Sequence, residues 1–333
     1  MDTPFDAQAP LDLAYENKLR PKRFDEFPGQ DQIKENLRIY IAAARKRKEP
    51  LDHILFSGPP GLGKTTLAGI TAAEMGAEIR QTSGPAIERP ADLAGLLTGL
   101  SPGQVLFIDE IHRLPLIVEE YLYGAMEDWA IDIIMESGLY AKSVHLTIPK
   151  FTLIGATTRD GLLSSPFRSR FGILERLDYY PPGDLQTILH RSAGILGVQL
   201  TQEGSEELSR RCRGTPRIAN RFLSRARDVA DVTGDGIIGL KEVERTLRML
   251  GVDGRGLTEM DRQILQTLRR HAGRPVGVKT IAVTVGETED TIENVYEPYL
   301  IREGYISKTP QGRRLLPLGY EAIGEKPGED GLF

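Results

Sequence analysis

A single cysteine, Cys212, is all the thiol the chain carries. One thiol cannot build an internal disulfide framework, and it argues against a cysteine-cluster metal site. Set among arginines, Arg210-Arg211-Cys212-Arg213, it reads as a small packed residue. Long apolar runs are missing too: nothing approaches the roughly 18 residues of a membrane-spanning helix. Residues 1–10 have no basic region followed by an apolar core, so they do not read as a secretory signal. A cytoplasmic location is the expectation. Excess positive charge is lacking, with a net charge of −5 and a pI near 5.7. That excludes a wholesale basic coat for nucleic acid, although local Lys/Arg patches suffice to grip phosphates. No tandem repeat of 20–50 residues is visible. What remains is ordinary globular composition, 40% apolar and 27% charged. At 333 residues, two or three domains are expected.

One stretch organises the rest: Gly58-Pro59-Pro60-Gly61-Leu62-Gly63-Lys64-Thr65-Thr66. It follows an apolar run, Ile54-Leu55-Phe56, and leads into an Ala/Leu/Ile-rich run ending at Met75. Strand, glycine loop and helix in that order meet the G-x-x-x-x-G-K-[ST] pattern. Glycines let the loop aim backbone N–H groups into one concavity, and the helix N-terminus adds its own. Lys64 is placed to reach β- and γ-phosphates, and the Thr65 hydroxyl to ligate Mg²⁺.

Some 45 positions on, Val105-Leu106-Phe107-Ile108-Asp109-Glu110 reads as a buried parallel strand ending in two carboxylates. Open α/β sheets bind ligands at that edge. Asp109 is placed to hold the Mg²⁺ shell and Glu110 to polarise an attacking water. His112 reads as a satisfied structural histidine in preference to a γ-phosphate contact. A further strand, 151–159, ends in polar residues and brings Thr158 to the same edge. Arg168 and Arg170 follow, and the residues alone leave two readings: a solvated face, or an arginine finger for a neighbouring subunit.

The remaining chain divides as follows. Residues 1–17 are expected to be a disordered leader. A large α/β ATPase domain spans 18–181, with a β-hairpin near 131–148 whose first run is unusually apolar. A small all-α domain spans 182–253, after a boundary at Tyr179–Gly183; Thr215-Pro216-Arg217 opens its third helix. There Arg217 either covers the helix with its stem or reaches back to a phosphate. A glycine-rich hinge at 251–256 precedes three helices and two short strands over 254–323, a winged-helix unit. Its wing carries Lys308, Arg313 and Arg314, suited to phosphate contact. The tail 324–333 is expected to be disordered.

The blocks "LRPKRFDEFPGQ", "HILFSGPPGLGKTTLA", "TSGPAIERPADLA", "VLFIDEIHRL", "FTLIGATTR", "FRSRFGILERLDYY", "RGTPRIANR" and "EPYLIREGYISKTPQGR" resemble, in order, the RuvB family of AAA+ Holliday-junction branch-migration ATPases. The resemblance runs from about Leu19 to Leu316. It implies a P-loop AAA+ parallel sheet flanked by helices, a small helical lid and a C-terminal winged helix. It also implies ATP and Mg²⁺ as ligands and a homo-oligomer, a hexameric ring. The partners implied are duplex DNA at Holliday junctions and RuvA at the 131–148 hairpin, with a RuvC resolvase as a further partner. By the resemblance, Leu19 and Arg20 line the adenine pocket, and Gly61, Gly63, Lys64, Thr65 and Thr66 bind phosphates. Glu127, Asp128 and Trp129 match a segment touching nucleotide through its backbone. Thr158 matches a first sensor, Arg170 a trans finger, Tyr180 a nucleotide contact and Arg217 a second sensor. Lys308 and Arg313 match DNA contacts. The wing departs from the usual pattern: Lys308 lacks arginine's planar fork, and Gln311 removes a charge. The competing reading is a nucleotide-switched clamp loader or initiator built on the same core.

Overall fold

The computed structural model describes residues 13–134, 143–233, 235–271 and 273–325. The chain divides after Tyr180 into two compact units.

The first unit opens with α1 (Leu13–Leu19) and α2 (Asp31–Arg47). Helix α1 occupies the end of the segment expected to be leader: Glu16 and Arg20 pair at i,i+4, and Leu19 buries itself. Residues 1–12 of that expected leader lie outside the described residues. Next come β1 (Ile54–Ser57), α3 (Lys64–Met75), β2 (Ile79–Ser83), α4 (Pro90–Thr98), β3 (Val105–Asp109) and α5 (Leu116–Asp128). A hairpin follows, β4 (Ala130–Ile134) antiparallel to β5 (Ser143–Thr147), then β6 (Thr152–Thr157), α6 (Ser165–Arg168) and β7 (Ile173–Arg176). The hairpin's tip, 135–142, lies outside the described residues. Its base is anchored, with Ile131 and Ile148 in the core beside Leu122 and Phe151.

Five strands form one parallel sheet in the order β2-β3-β6-β1-β7. Strands β1, β3 and β6 are buried on both faces, which is why they read as continuous apolar runs. This order decides the chemistry. The loop after β1, the polar end of β6 and the acids ending β3 stand side by side at one carboxyl edge. Strand β7 carries no comparable signal in the sequence. It is a four-residue edge strand with Leu174 exposed, held through Ile54↔Ile173 pairing.

The second unit starts with α7 (Pro182–Leu196), β8 (Gln199–Leu200), α8 (Gln202–Arg211), α9 (Pro216–Thr233), β9 (Ile237–Ile238) and α10 (Leu240–Met249). To the expected small helical domain the structure adds a short parallel pair, β8–β9, which ties the ends of the helical layer together. Cys212 is fully buried and its thiol is pushed up to about 12 by that burial, an inert packed residue.

Three helical segments and a wing complete the unit: α11 (Glu259–Arg270), α12 (Val278–Val285), then α13 (Glu289–Thr291) running through a π-turn at Ile292–Tyr296 into α14 (Glu297–Arg302). The π-turn lies just before Pro298, whose missing N–H an α-helix cannot accommodate without loss. Strands β10 (Ile306–Thr309) and β11 (Gly312–Leu315) form the wing, and α15 (Pro317–Ala322) closes the chain. Residues 326–333 of the expected tail lie outside the described residues.

The glycine-rich stretch at 251–256 is spanned by contacts rather than left as a hinge. Arg213 ion-pairs with Asp261 at 2.5 Å, donates to the Gly256 carbonyl at 2.7 Å and lies 4.1 Å from the Tyr299 ring centroid. Both Arg213 and Asp261 are buried. The Tyr299 hydroxyl donates to the Arg255 carbonyl at 2.8 Å. Among the described residues no helix is long and apolar enough to cross a membrane.

Candidate nucleotide site and DNA-facing wing

The loop after β1 is shaped by backbone that only glycine adopts comfortably. Gly58, Gly61 and Gly63 all have positive φ, at 131°, 77° and 100°. A Cβ on Gly58 would lie 2.4 Å from the Leu177 carbonyl oxygen, and one on Gly63 3.1 Å from the Phe27 ring. Phe27 and Tyr180 thus close the loop from outside, and the Tyr180 hydroxyl donates to the Leu62 carbonyl at 3.0 Å. Leu19 is buried just upstream, while Arg20 reaches back to Glu16 at 3.5 Å.

Lys64 is 6% exposed, and its ammonium donates to the Gly58 and Pro59 carbonyls at 2.7 and 2.9 Å. Burial pulls it down to about 8, against the pull of Asp109 and Glu110, which favour the charged form. The Thr65 hydroxyl donates to Asp109 at 3.0 Å. A hydroxyl and a carboxylate this close are two hard oxygen donors on one spot, the donor set Mg²⁺ takes when phosphates and water complete its shell. Thr66, one residue further, sits in the first turn of α3.

Glu110 is held from three sides. Its own backbone is left-handed, φ 48° and ψ 45°, with its N–H donating to Asp109 at 2.9 Å. The Thr158 hydroxyl donates to its carboxylate at 3.2 Å. His112 Nδ1 stands 3.4 Å from the same carboxylate oxygen and 2.9 Å from the Thr157 hydroxyl. Burial lowers the His112 pKa, opposed by Glu110. His112 is therefore satisfied structurally, as expected, and touches the key carboxylate as well. Gly84, which sequence reasoning did not single out, is needed here: a Cβ on it would lie 2.4 Å from the Glu110 carbonyl oxygen. The signal was its place in the "TSGPAIERPADLA" block, one strand over from Asp109 through Ser83↔Asp109 pairing.

Four expected site residues are not brought to this edge. Arg170 pairs with Glu127 at 2.5 Å, its guanidinium 4.4 Å from the Tyr123 ring centroid and bonded to the Tyr123 hydroxyl. Asp128 ends α5, and Trp129, with φ 54°, turns the chain into β4. Glu127, Trp129 and Arg170, with Asp52, His53 and Lys150, line a cavity of about 480 Å³. His53 immediately precedes β1, whereas Gly58 follows it. The cavity and the P-loop therefore lie at opposite ends of the same strand, roughly 16 Å of extended chain apart. A full strand length thus separates Glu127, Asp128, Trp129 and Arg170 from the chain's own P-loop.

Arg217 occupies the first turn of α9 beside Pro216, in the second unit. On the wing, Lys308 is half exposed and pairs with Glu293 at 3.1 Å and Glu297 at 3.6 Å. The Lys308 hydrogen bond, with that from Arg313, holds the Glu293 carboxyl below its usual range. Arg313 is only 6% exposed, bonded to Glu293 at 2.7 Å and to both carboxylate oxygens of Glu297. At Arg313, which the resemblance matches to a DNA contact, two carboxylates from the preceding helical segment occupy the fork and make it an internal strut.

The three parts of the chain match three family models. Residues 19–177 match the Holliday junction DNA helicase RuvB P-loop domain, 180–253 the RuvB AAA lid domain and 254–324 the RuvB C-terminal winged helix domain. The Holliday junction branch migration complex subunit RuvB of Prosthecochloris aestuarii is 54% identical over 333 residues, covering 99% of this chain and 96% of the relative. That of Myxococcus xanthus is 54% identical over 327 residues, covering 98% and 95%. Among solved structures, the Thermotoga maritima RuvB Holliday junction branch migration motor superposes with a TM-score of 0.84 at 44% identity, covering 93% of this chain and 99% of that one. With a P-loop, a lid and a winged helix each matched along nearly its whole length, the chain belongs to the RuvB family of P-loop ATPases.

Proposed function

We propose that the chain is the ATP-driven motor subunit of a Holliday-junction branch-migration complex, working with RuvA on duplex DNA as a homo-oligomeric ring, a hexamer. One observation carries the subunit arrangement: Arg170 lies at the opposite end of β1 from Lys64. A finger there serves only a nucleotide held by a neighbour.

In this reading the glycine loop and Lys64 bind the triphosphate, with Lys64 exchanging the Gly58 and Pro59 carbonyls for phosphate oxygens. Leu19, Arg20 and Tyr180 enclose the base end, beside the loop that Tyr180 already braces. Thr65 and Asp109 hold Mg²⁺, which when bound neutralises charge on the β- and γ-phosphates. Glu110 orients the attacking water, and Thr158 and His112 fix its carboxylate. Arg170, with the Glu127–Trp129 segment beside it, closes the neighbour's site, a contribution worth about 10³–10⁵ in rate for fingers of this kind. Arg217 supplies a second sensor from the lid. Lys308 meets duplex phosphates, while Arg313 keeps the wing in shape to present it. The 131–148 hairpin docks RuvA. Action inside the cytoplasm follows from a DNA substrate.

The test is movement of a synthetic four-way junction by purified protein with RuvA, ATP and Mg²⁺. Arg170→Ala should bind ATP normally and fail to hydrolyse it or move the junction. ATP-dependent loading of another protein onto DNA, without junction movement, would favour a clamp-loader reading instead.

A further inference from the structure

His53 is a buried histidine that the reaction above does not use. Its ring lies 5.8 Å from Trp129 and 5.5 Å from Phe151, centroid to centroid. Its Nδ1 accepts the Leu153 N–H at 2.9 Å. The proton therefore sits on Nε2, on the side of the cavity that Met126, one residue before Glu127, also lines. Burial pushes its pKa down to about 4, so this tautomer persists at neutral pH. The backbone carbonyl of His53 in turn accepts the Ile173 N–H at 3.1 Å, three residues after Arg170. Next to it, Gly172 presses on Asp52: a Cβ there would lie 3.1 Å from the Asp52 Cβ.

One residue thus ties both carriers of the finger to the central sheet. Its ring packs on Trp129, bracing the left-handed turn that directly follows the last turn of α5, where Glu127 holds Arg170. Its main chain grips the segment on which Arg170 rides. We propose that His53 is the positioning residue of the trans-acting finger, holding Met126–Trp129 and Arg170–Ile173 in the register that presents Arg170 to a neighbouring subunit's triphosphate. This rests on the reading that Arg170 acts in trans.

Subunit mixing tests both statements separately. The control mixes Arg170→Ala, which keeps its acids, with Glu110→Gln, which keeps its finger. Each is inactive alone, and their mixture should regain ATP turnover. Without that recovery the trans reading fails and the proposal with it. With it, His53→Ala is the probe. Alone it should bind ATP with unchanged affinity and lose about 10²-fold in turnover, the scale of a roughly 1 Å misplacement. Mixed with Glu110→Gln it should recover like the control, because an intact finger now faces its nucleotide. Mixed with Arg170→Ala it should stay inactive. Wild-type turnover by His53→Ala overturns the proposal. So does failure to recover with Glu110→Gln while the control recovers, which would mean damage to its own site. If His53→Ala does not fold, His53→Asn carries the same test, since its amide keeps an acceptor for Leu153 but lacks the ring that packs on Trp129.

Discussion

Raising the pH from about 7 to 9 should weaken ATP binding roughly tenfold, through Lys64 alone. Its ammonium is buried among loop carbonyls, and burial brings its pKa from 10.5 to about 8 in the chain without nucleotide. The triphosphate needs the charged form. Affinity is therefore complete below about pH 8 and declines above it. With a pKa near 8, roughly one molecule in eleven keeps the proton at pH 9, which corresponds to about 1.4 kcal/mol of binding energy. The nucleotide's terminal phosphate is largely ionised at pH 7 and fully so above about pH 8, and Cys212, pushed up to about 12, stays protonated. The assay is calorimetric binding of ATP to Glu110→Gln protein at several pH values, so that hydrolysis does not intervene. Lys64→Arg in the same background is the control: a guanidinium keeps its charge, and its affinity, lower overall, should be flat with pH. Wild-type affinity that is unchanged at pH 9, in protein that remains folded, refutes the claim that a desolvated Lys64 governs binding.

Three further outcomes follow from named contacts. Gly84→Ala places a Cβ 2.4 Å from the Glu110 carbonyl oxygen; turnover should fall about 10²-fold with ATP affinity retained, as steady-state kinetics beside binding will report. Asp261→Ala leaves the Arg213 guanidinium buried without its carboxylate; the unit from Pro181 onward should lose about 3–5 kcal/mol of stability, measured by hydrogen exchange in α9 and α11. Lys308→Ala should reduce the slope of log affinity for duplex DNA against log salt by about one, whereas Arg313→Ala should chiefly loosen the wing, seen as faster exchange of β10 and β11 amides.

The candidate nucleotide edge was legible in the sequence because its parts are contiguous. Gly58–Thr66 carries its own strand and helix, Asp109–Glu110 ends an unbroken apolar run, and Thr158 closes another. The core strands β1, β3 and β6 could be read for the same reason, being apolar on both faces. Short edge elements were not: β7, β8 and β9 each pair only two to four residues, too few for a period to show. Nor does sequence give strand order. Once β6 is seen between β1 and β3, Thr158 falls between Lys64 and Glu110, and Arg170 falls at the far end of β1. The partners of Arg313 were hidden for a different reason. Glu293 and Glu297 lie 20 and 16 positions upstream, on a helical segment whose face toward the wing depends on the π-turn before Pro298.

The most direct measurement is ATP turnover per subunit as a function of protein concentration, with oligomeric state followed in the same samples by light scattering. Dilute single subunits should bind ATP yet hydrolyse almost none, and turnover should climb as they associate, because Arg170 completes only a neighbour's site. Full turnover from protein that scatters as a monomer would contradict this.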